Sequence, residues 1–261
     1  MARRRIKIPL YLLATLIALF AVAALVMRVK SHGSSPAVAV HNQVVHVRNF
    51  FVDLYGARQG DKVFLFDAGI DTNGSQLDAV LAGLKATRDQ ITDVFLTHGH
   101  FDHVAASPLC NKARIHLGIR DADMAALKTP YQPGLPRFTG AIFSVPPVLV
   151  TDALIDRAEL DLGDGNKLLA IPLPGHTPGS FMLLYDKVLF SGDSILMSDG
   201  KLSFADPKAT VDVEANKRGI AGLKAALAGA QVDFVCTGHM GCTAPGEAQK
   251  QLDDLIERAA R

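Results

Sequence analysis

The sequence has no tryptophan, only three cysteines and only four glutamates. The glutamate shortage is one-sided: Glu159, Glu214, Glu247 and Glu257 stand against twenty-two aspartates. None of the four lies near a histidine cluster, so any acidic ligand or base is expected to be aspartate. Cys110, Cys236 and Cys242 are too few and too scattered for a disulfide framework. They read as small buried hydrophobes. The net charge is only +1, which gives no support to a nucleic-acid partner. A chain of 261 residues is long enough for one large domain or two small ones.

What is present falls into unlike parts. The opening "MARRRIK" carries four positive charges, and "IPLYLLATLIALFAVAALVM" follows with none until Arg28. That run is about the 20 residues a bilayer-spanning helix needs. The excess of cations before it keeps the N-terminus cytoplasmic and puts the rest across the membrane. Residues 1–30 are therefore expected to be a transmembrane anchor, with a cleaved signal peptide as the alternative. "SHGSSPAVAVHNQ" reads as a linker over residues 31–43, and residues 44–261 as the catalytic domain.

Within that domain, "VVHVRNFFVDLYG" and "KVFLFDAGID" read as strands joined by a turn, and "SQLDAVLAGLKA" as a helix. "ITDVFLT", "ARIHLG", "NKLLAIPLP", "FMLLYD", "KVLFSGD" and "VDFVCTGH" read as further strands. Helices are expected over "IRDADMAALK", "DVEANKRGIAGLKAAL" and "PGEAQKQLDDLIERAA". Residues 129–147, rich in Pro and Gly, form a long irregular connection. Their Tyr131, Arg137 and Phe138 make this the candidate flap or substrate pocket, against a plain surface crossover.

The chemistry concentrates in "THGHFDH", where three of nine histidines and an aspartate follow the apolar run "ITDVFLT". Neutral imidazole is the commonest protein metal ligand and aspartate adds a hard oxygen donor, so His98, His100, Asp102 and His103 read as a metal site. One loop cannot supply every ligand. His176 in "PLPGHTPGS", Asp193 in "LFSGDS" and His239 in "FVCTGHMG" each follow an apolar strand as well. Taken singly, each reads more readily as a hydrogen-bonded structural residue. Together the places offer five histidines and two aspartates, enough for two metals sharing one carboxylate.

The ordered set "FDAG", "THGHFDH", "GHTPGS", "SGD" and "GH" resembles the metallo-β-lactamase superfamily from about Val44 to the C-terminus. The resemblance implies an α/β fold, a four-layer αββα sandwich. It implies that His98, His100 and His176 hold one metal, that Asp102, His103 and His239 hold a second, and that Asp193 bridges them. Asp67 would brace the metal loop through hydrogen bonds, although an aspartate before Gly69 also suits an ordinary turn. Two zinc ions are the implied cofactor, with iron or manganese also compatible with nitrogen and oxygen donors. They would lower the pKa of a shared water toward about 7, giving hydroxide for attack on an ester, lactone or thioester. Asp102 would orient that water and pass a proton to the leaving group. The alternative is a mononuclear iron oxidase resembling the persulfide dioxygenases. "DHVAAS" lacks the glycines of lactonase-like members, and twenty-two residues after His239 leave no helical domain of the glyoxalase II kind.

Overall fold

Strand β4 (Lys62–Phe66) shows how the layers arise: its side chains alternate between two faces, yet both faces are apolar. Val63 and Leu65 point into one core, and Phe64 and Phe66 into another. A strand buried on both sides must lie inside a multilayered fold. Strand β10 (Phe181–Tyr185) repeats the pattern, with Phe181, Leu183 and Tyr185 on one side and Met182 and Leu184 on the other.

The computed structural model describes Ile17, Phe20 and residues 33–125 and 147–261. Apart from Ile17 and Phe20, the expected anchor lies outside the described residues. So do Tyr131, Arg137 and Phe138. Among the described residues no helix is long and apolar enough to cross a membrane.

The first sheet has seven strands in sequential order. They are β1 (Val38–His41), β2 (Val44–Asn49), β3 (Val52–Gln59), β4, β5 (Ile91–Phe95), β6 (Arg114–Gly118) and β7 (Asp152–Leu154). Strands β1 to β4 pair antiparallel, and β4 to β7 pair parallel. The second sheet runs β14 (Phe234–Thr237), β11 (Val188–Gly192), β10, β9 (Asn166–Pro172) and β8 (Ala158–Gly163). A separate hairpin pairs β12 (Ile195–Ser198) with β13 (Lys201–Phe204).

Three apolar cores separate four layers. Between the sheets lie Tyr55, Phe64, Phe66, Phe95, Tyr185 and Phe190, with the rings of Phe66 and Phe190 stacked at 3.8 Å. Helix α1 (Ser75–Gly83) covers the outer face of the first sheet through Leu77, Val80 and Leu81. Short helices α2 (Phe101–Val104) and α3 (Ile119–Ala125) follow β5 and β6. On the second sheet lie α4 (Val213–Ala221), α5 (Leu223–Ala226) and α6 (Ala248–Ala259). Helix α4 begins at Asp212, whose carboxylate accepts from the Ala215 N–H at 2.8 Å, satisfying a backbone donor left free at the helix start. Helix α6 buries Ala248, Leu252, Leu255 and Ile256, one stripe at helical spacing. The expected αββα order of layers is what these cores describe.

Several local expectations change. "VVHVRNFFVDLYG" is a hairpin, not one strand: Phe50, at φ 57°, turns the chain between β2 and β3. The stretch read as linker carries β1, which pairs with β2, and Ser34 bridges to Asn49. The helix expected over "DVEANKRGIAGLKAAL" divides at Gly222. Cysteine requires the plainest correction. Cys236 and Cys242 form a disulfide, while Cys110 alone is a buried free thiol. Burial pushes the Cys110 thiol up to about 11, against the opposing charge of Arg88, so it stays protonated at neutral pH.

Candidate metal centre

Every candidate residue sits where a strand stops. Strand β5 delivers His98 and His100, and α2 carries Asp102 and His103 in a single turn. His176 follows β9, Asp193 follows β11 and His239 follows β14. Parallel strands β11 and β14 leave the sheet side by side, which brings Asp193 and His239 together. Gly238 permits that approach, because a Cβ there would collide with Asp193 Oδ1 and with the His103 ring.

The structure brings all seven together. Donor atoms of His98, His100, His176 and Asp193 lie within 4.8 Å of one another, and so do those of Asp102, His103 and His239. Asp193 stands between the two groups. Its Oδ1 is 3.4 Å from His103 Nε2, and its Oδ2 is 3.0 Å from His239 Nε2 and 3.6 Å from His176 Nε2. Asp102 Oδ2 is 3.8 Å from both His103 Nε2 and His239 Nε2.

Hydrogen bonding behind the rings fixes which nitrogens are bare. Asp67, at φ 66°, accepts from the Thr97 N–H at 2.7 Å, the Thr97 hydroxyl at 3.0 Å and His103 Nδ1 at 2.8 Å. Because the Thr97 proton goes to Asp67, His98 Nδ1–H donates to Thr97 Oγ1 at 3.0 Å. His176 Nδ1–H donates to Thr210 Oγ1, whose own proton goes to the Asp206 carbonyl. His239 Nδ1–H donates to the Phe51 carbonyl at 2.8 Å. An imidazole that donates from one nitrogen presents a lone pair at the other. His176 Nε2 thus faces His98 Nε2 at 3.3 Å and His100 Nδ1 at 3.0 Å. His239 Nε2 stands 3.0 Å from Asp193 Oδ2 and, when protonated, donates to it. Among the described residues, buried His100 Nε2, His103 Nε2 and Asp193 Oδ1 have no hydrogen-bond partner.

Lone pairs converging at such distances repel unless a cation lies among them, so these residues fit metal ions. The ionisation states agree. Burial, with the neighbouring histidines, holds His98 well below its ordinary value. Burial also brings His100 down to about 4 and His176 to about 3 despite Asp193, which leaves both neutral, the form that ligates. His103 and His239 go the other way. Burial is the largest single effect and would lower them. The charge of Asp193 and its hydrogen bonding, together with Asp102 and, at His103, Asp67, overcome it in sum. They raise His103 well above its ordinary value and His239 to about 9. Asp193 itself is held ionised, since His239 and His103 overcome the effect of burial. The field that draws protons to these nitrogens would equally favour a divalent cation.

Several participants escape sequence reasoning. Thr97 and Thr210 set tautomers through hydroxyls that no motif demands. Asp53, fully buried in β3, receives His46 Nε2, the Arg48 guanidinium and the Gly241 N–H, and so ties down the loop bearing His239. Burial would raise that carboxyl, but His46 and Arg48 prevail and lower it. The Cys236–Cys242 disulfide closes the same loop from its two ends. The one visible signal was an aspartate inside the apolar run "FFVDLYG". An apolar surface also adjoins the centre where none was expected. Phe50 and Phe51 are exposed, and the Phe51 ring lies 5.4 Å from that of His239.

Comparison with known proteins agrees with this architecture. The chain is 27% identical to the probable metallo-hydrolase YflN of Bacillus subtilis (strain 168), over 88% of this chain and 93% of that protein. It shares its fold with BJP-1, a subclass B3 metallo-beta-lactamase of Bradyrhizobium japonicum. That match has TM-score 0.64 at 20% identity and covers 88% of this chain and 92% of the other. A B3 metallo-beta-lactamase with an active-site glutamic acid gives TM-score 0.65 at 16% identity over 88% and 91%. The sequence pattern of the metallo-beta-lactamase superfamily matches residues 48–239, from the hairpin that carries Asp53 to the last histidine of the centre. With strand ends, histidine groups and sequence pattern coinciding over most of its length, the chain belongs to the metallo-β-lactamase superfamily.

Proposed function

We propose that the protein is a dinuclear, zinc-dependent hydrolase of an ester, lactone or thioester. The observation that carries this reading is the place of Asp193, whose two oxygens face separate groups of histidines. His98, His100 and His176 would hold one ion, Asp102, His103 and His239 the other, and Asp193 both. When bound, such a pair supplies electrophilic polarisation of the scissile carbonyl and an acidified water.

The chain's own groups do the rest. Asp102 is buried beside the second group, its Oδ2 3.8 Å from His103 Nε2 and His239 Nε2. It is placed to orient the attacking water, accept its proton and return it to the leaving oxygen or sulfur. Neutral His98 and His176 keep their geometry because Thr97 and Thr210 hold them from behind. Phe50 and Phe51 offer an apolar surface for the acyl portion. Tyr131, Arg137 and Phe138, which lie outside the described residues, are proposed as further substrate-pocket residues. A panel of p-nitrophenyl esters, lactones, acyl thioesters and a β-lactam tests the reading, since the solved B3 relatives are β-lactamases. Turnover of at least one ester, lactone or thioester, lost on chelation and restored by zinc, is the expected result. One iron per chain with oxygen uptake on a persulfide would replace hydrolysis by the oxidase reading.

We also propose that residues 1–30 anchor the catalytic domain outside the cytoplasm. The Cys236–Cys242 disulfide supports this, because such bonds persist in oxidising compartments. The full chain is expected to sediment with membranes and to stay there through an alkaline carbonate wash. A variant lacking residues 1–30 keeps Ser34 and β1, and should be soluble with unchanged turnover. Release of the full chain by carbonate would refute the anchor. A mature N-terminus near Val40 would establish a cleaved signal instead.

A further inference from the structure

The three histidines of the first group come from two separate loops. His98 and His100 follow β5, whereas His176 follows β9 in the other sheet. A residue on a third element joins them. Asp121, in α3, is fully buried. Its Oδ2 accepts from the Gly99 N–H at 2.9 Å, between His98 and His100, and from the hydroxyl of Thr177, next to His176. Its Oδ1 accepts from the Gly179 N–H at 2.7 Å. Thr177 has a single hydroxyl proton and gives it to Asp121, so Ser180 donates in turn to Thr177 Oγ1 at 2.7 Å.

Packing closes around the same carboxylate. A Cβ on Gly179 would lie 2.6 Å from Asp121 N and 2.7 Å from its Oδ1, and one on Gly99 would lie 3.2 Å from Asp121 Cβ. Gly118, at the end of β6, meets the Gly179 carbonyl so closely that any side chain would collide with it. Two backbones approach Asp121 because each offers a glycine there, Gly99 and Gly179, and Gly118 lets β6 close against Gly179 from behind. Among the described residues no cation pairs with this acid. Burying an unpaired carboxylate costs several kcal/mol, so an apolar residue would serve simple packing better. Every group that reaches Asp121 is a donor, and each belongs to a loop bearing a histidine of the first group.

We propose that Asp121 is a positioning residue for the first cation, fixing the separation of His98 and His100 from His176. The inference rests on the metal reading above. Asp121→Asn tests it with little change of shape, since the amide NH₂ group cannot accept from the N–H or O–H donors that now converge there. The measurement is Zn²⁺ affinity of apo full-length protein, titrated against a chromophoric chelator in two single-site backgrounds. His239→Ala retains the first group, and His98→Ala retains the second. Asp121→Asn is expected to weaken binding about 10- to 100-fold in the His239→Ala background, the range seen when residues behind metal ligands are lost. In the His98→Ala background the change should stay under about twofold.

A purely structural role would lower the melting temperature in both backgrounds and leave both affinities alike, which overturns the proposal. Thr177→Val removes one donor of the same network without opening a cavity. It should weaken the first site alone by about fivefold, the effect of one hydrogen bond. No loss in that variant counts against the proposal even if Asp121→Asn fails to fold. If His239→Ala with Asp121 intact binds no zinc, the metal reading itself falls, and the inference falls with it.

Discussion

Asp193→Ala should reduce the bound ions from two per chain to one or none and depress turnover by about 10³-fold or more, roughly 4 kcal/mol of transition-state stabilisation. The magnitude follows from where the carboxylate stands. One oxygen faces His103, the other faces His239 and His176, and removing both leaves each group of histidines without its shared acid. His103 and His239 owe their raised basicity chiefly to Asp193 once burial is set aside, so they also lose the field that draws a cation to them. Metal analysis and turnover of the best panel substrate read both effects together. A variant that keeps two ions and full activity would show that Asp193 is not shared.

Asp102→Asn should separate binding from chemistry. The amide preserves the shape of the side chain but cannot accept a proton, and general acid–base catalysis typically contributes about 10²- to 10⁴-fold. Turnover is expected to fall by that range. Ion content at His98, His100 and His176 should not change, because Asp102 lies with the other group. KM should move little, since nothing places Asp102 in substrate binding before the proton moves. An active Asp102→Asn enzyme with an unaltered pH profile would remove Asp102 from the proton pathway and leave it a ligand alone.

The legible and illegible parts of this molecule divide by range. "KVFLF" and "FMLLY" announce strands covered on both faces, and that already implies stacked layers. "THGHFDH" declares itself by density, and its position after β5 places it at a strand end. His176, Asp193 and His239 carry no such signal singly. Only their order along the chain recommended them, and the parallel pairing of β11 with β14 is what brings two of them together. The bracing residues were hidden for a physical reason. Asp121 acts on Gly179, 58 positions away, and Asp53 on Gly241, 188 positions away, so no local pattern records either.

Short elements failed for a different cause. Strand β1 is exposed or half-buried throughout, so it lacks the apolar alternation that marks a strand. The helix over "DVEANKRGIAGLKAAL" keeps its apolar spacing across Gly222, and spacing alone does not show where backbone hydrogen bonding changes. Counting three cysteines argued against a framework but not against a single bond. Cys236 and Cys242 meet because the loop bearing His239 turns back on itself, as the backbone bond from Thr237 to Gly241 shows.

The central claim is that two ions share Asp193, and anomalous diffraction from crystals of the zinc-loaded protein tests it most directly. Data collected at the zinc edge should show two peaks about 3.5–4 Å apart. One should lie among His98, His100 and His176, the other among Asp102, His103 and His239, with the Asp193 carboxylate between them. A single peak, or two peaks of which either lies beyond reach of Asp193, would contradict the account.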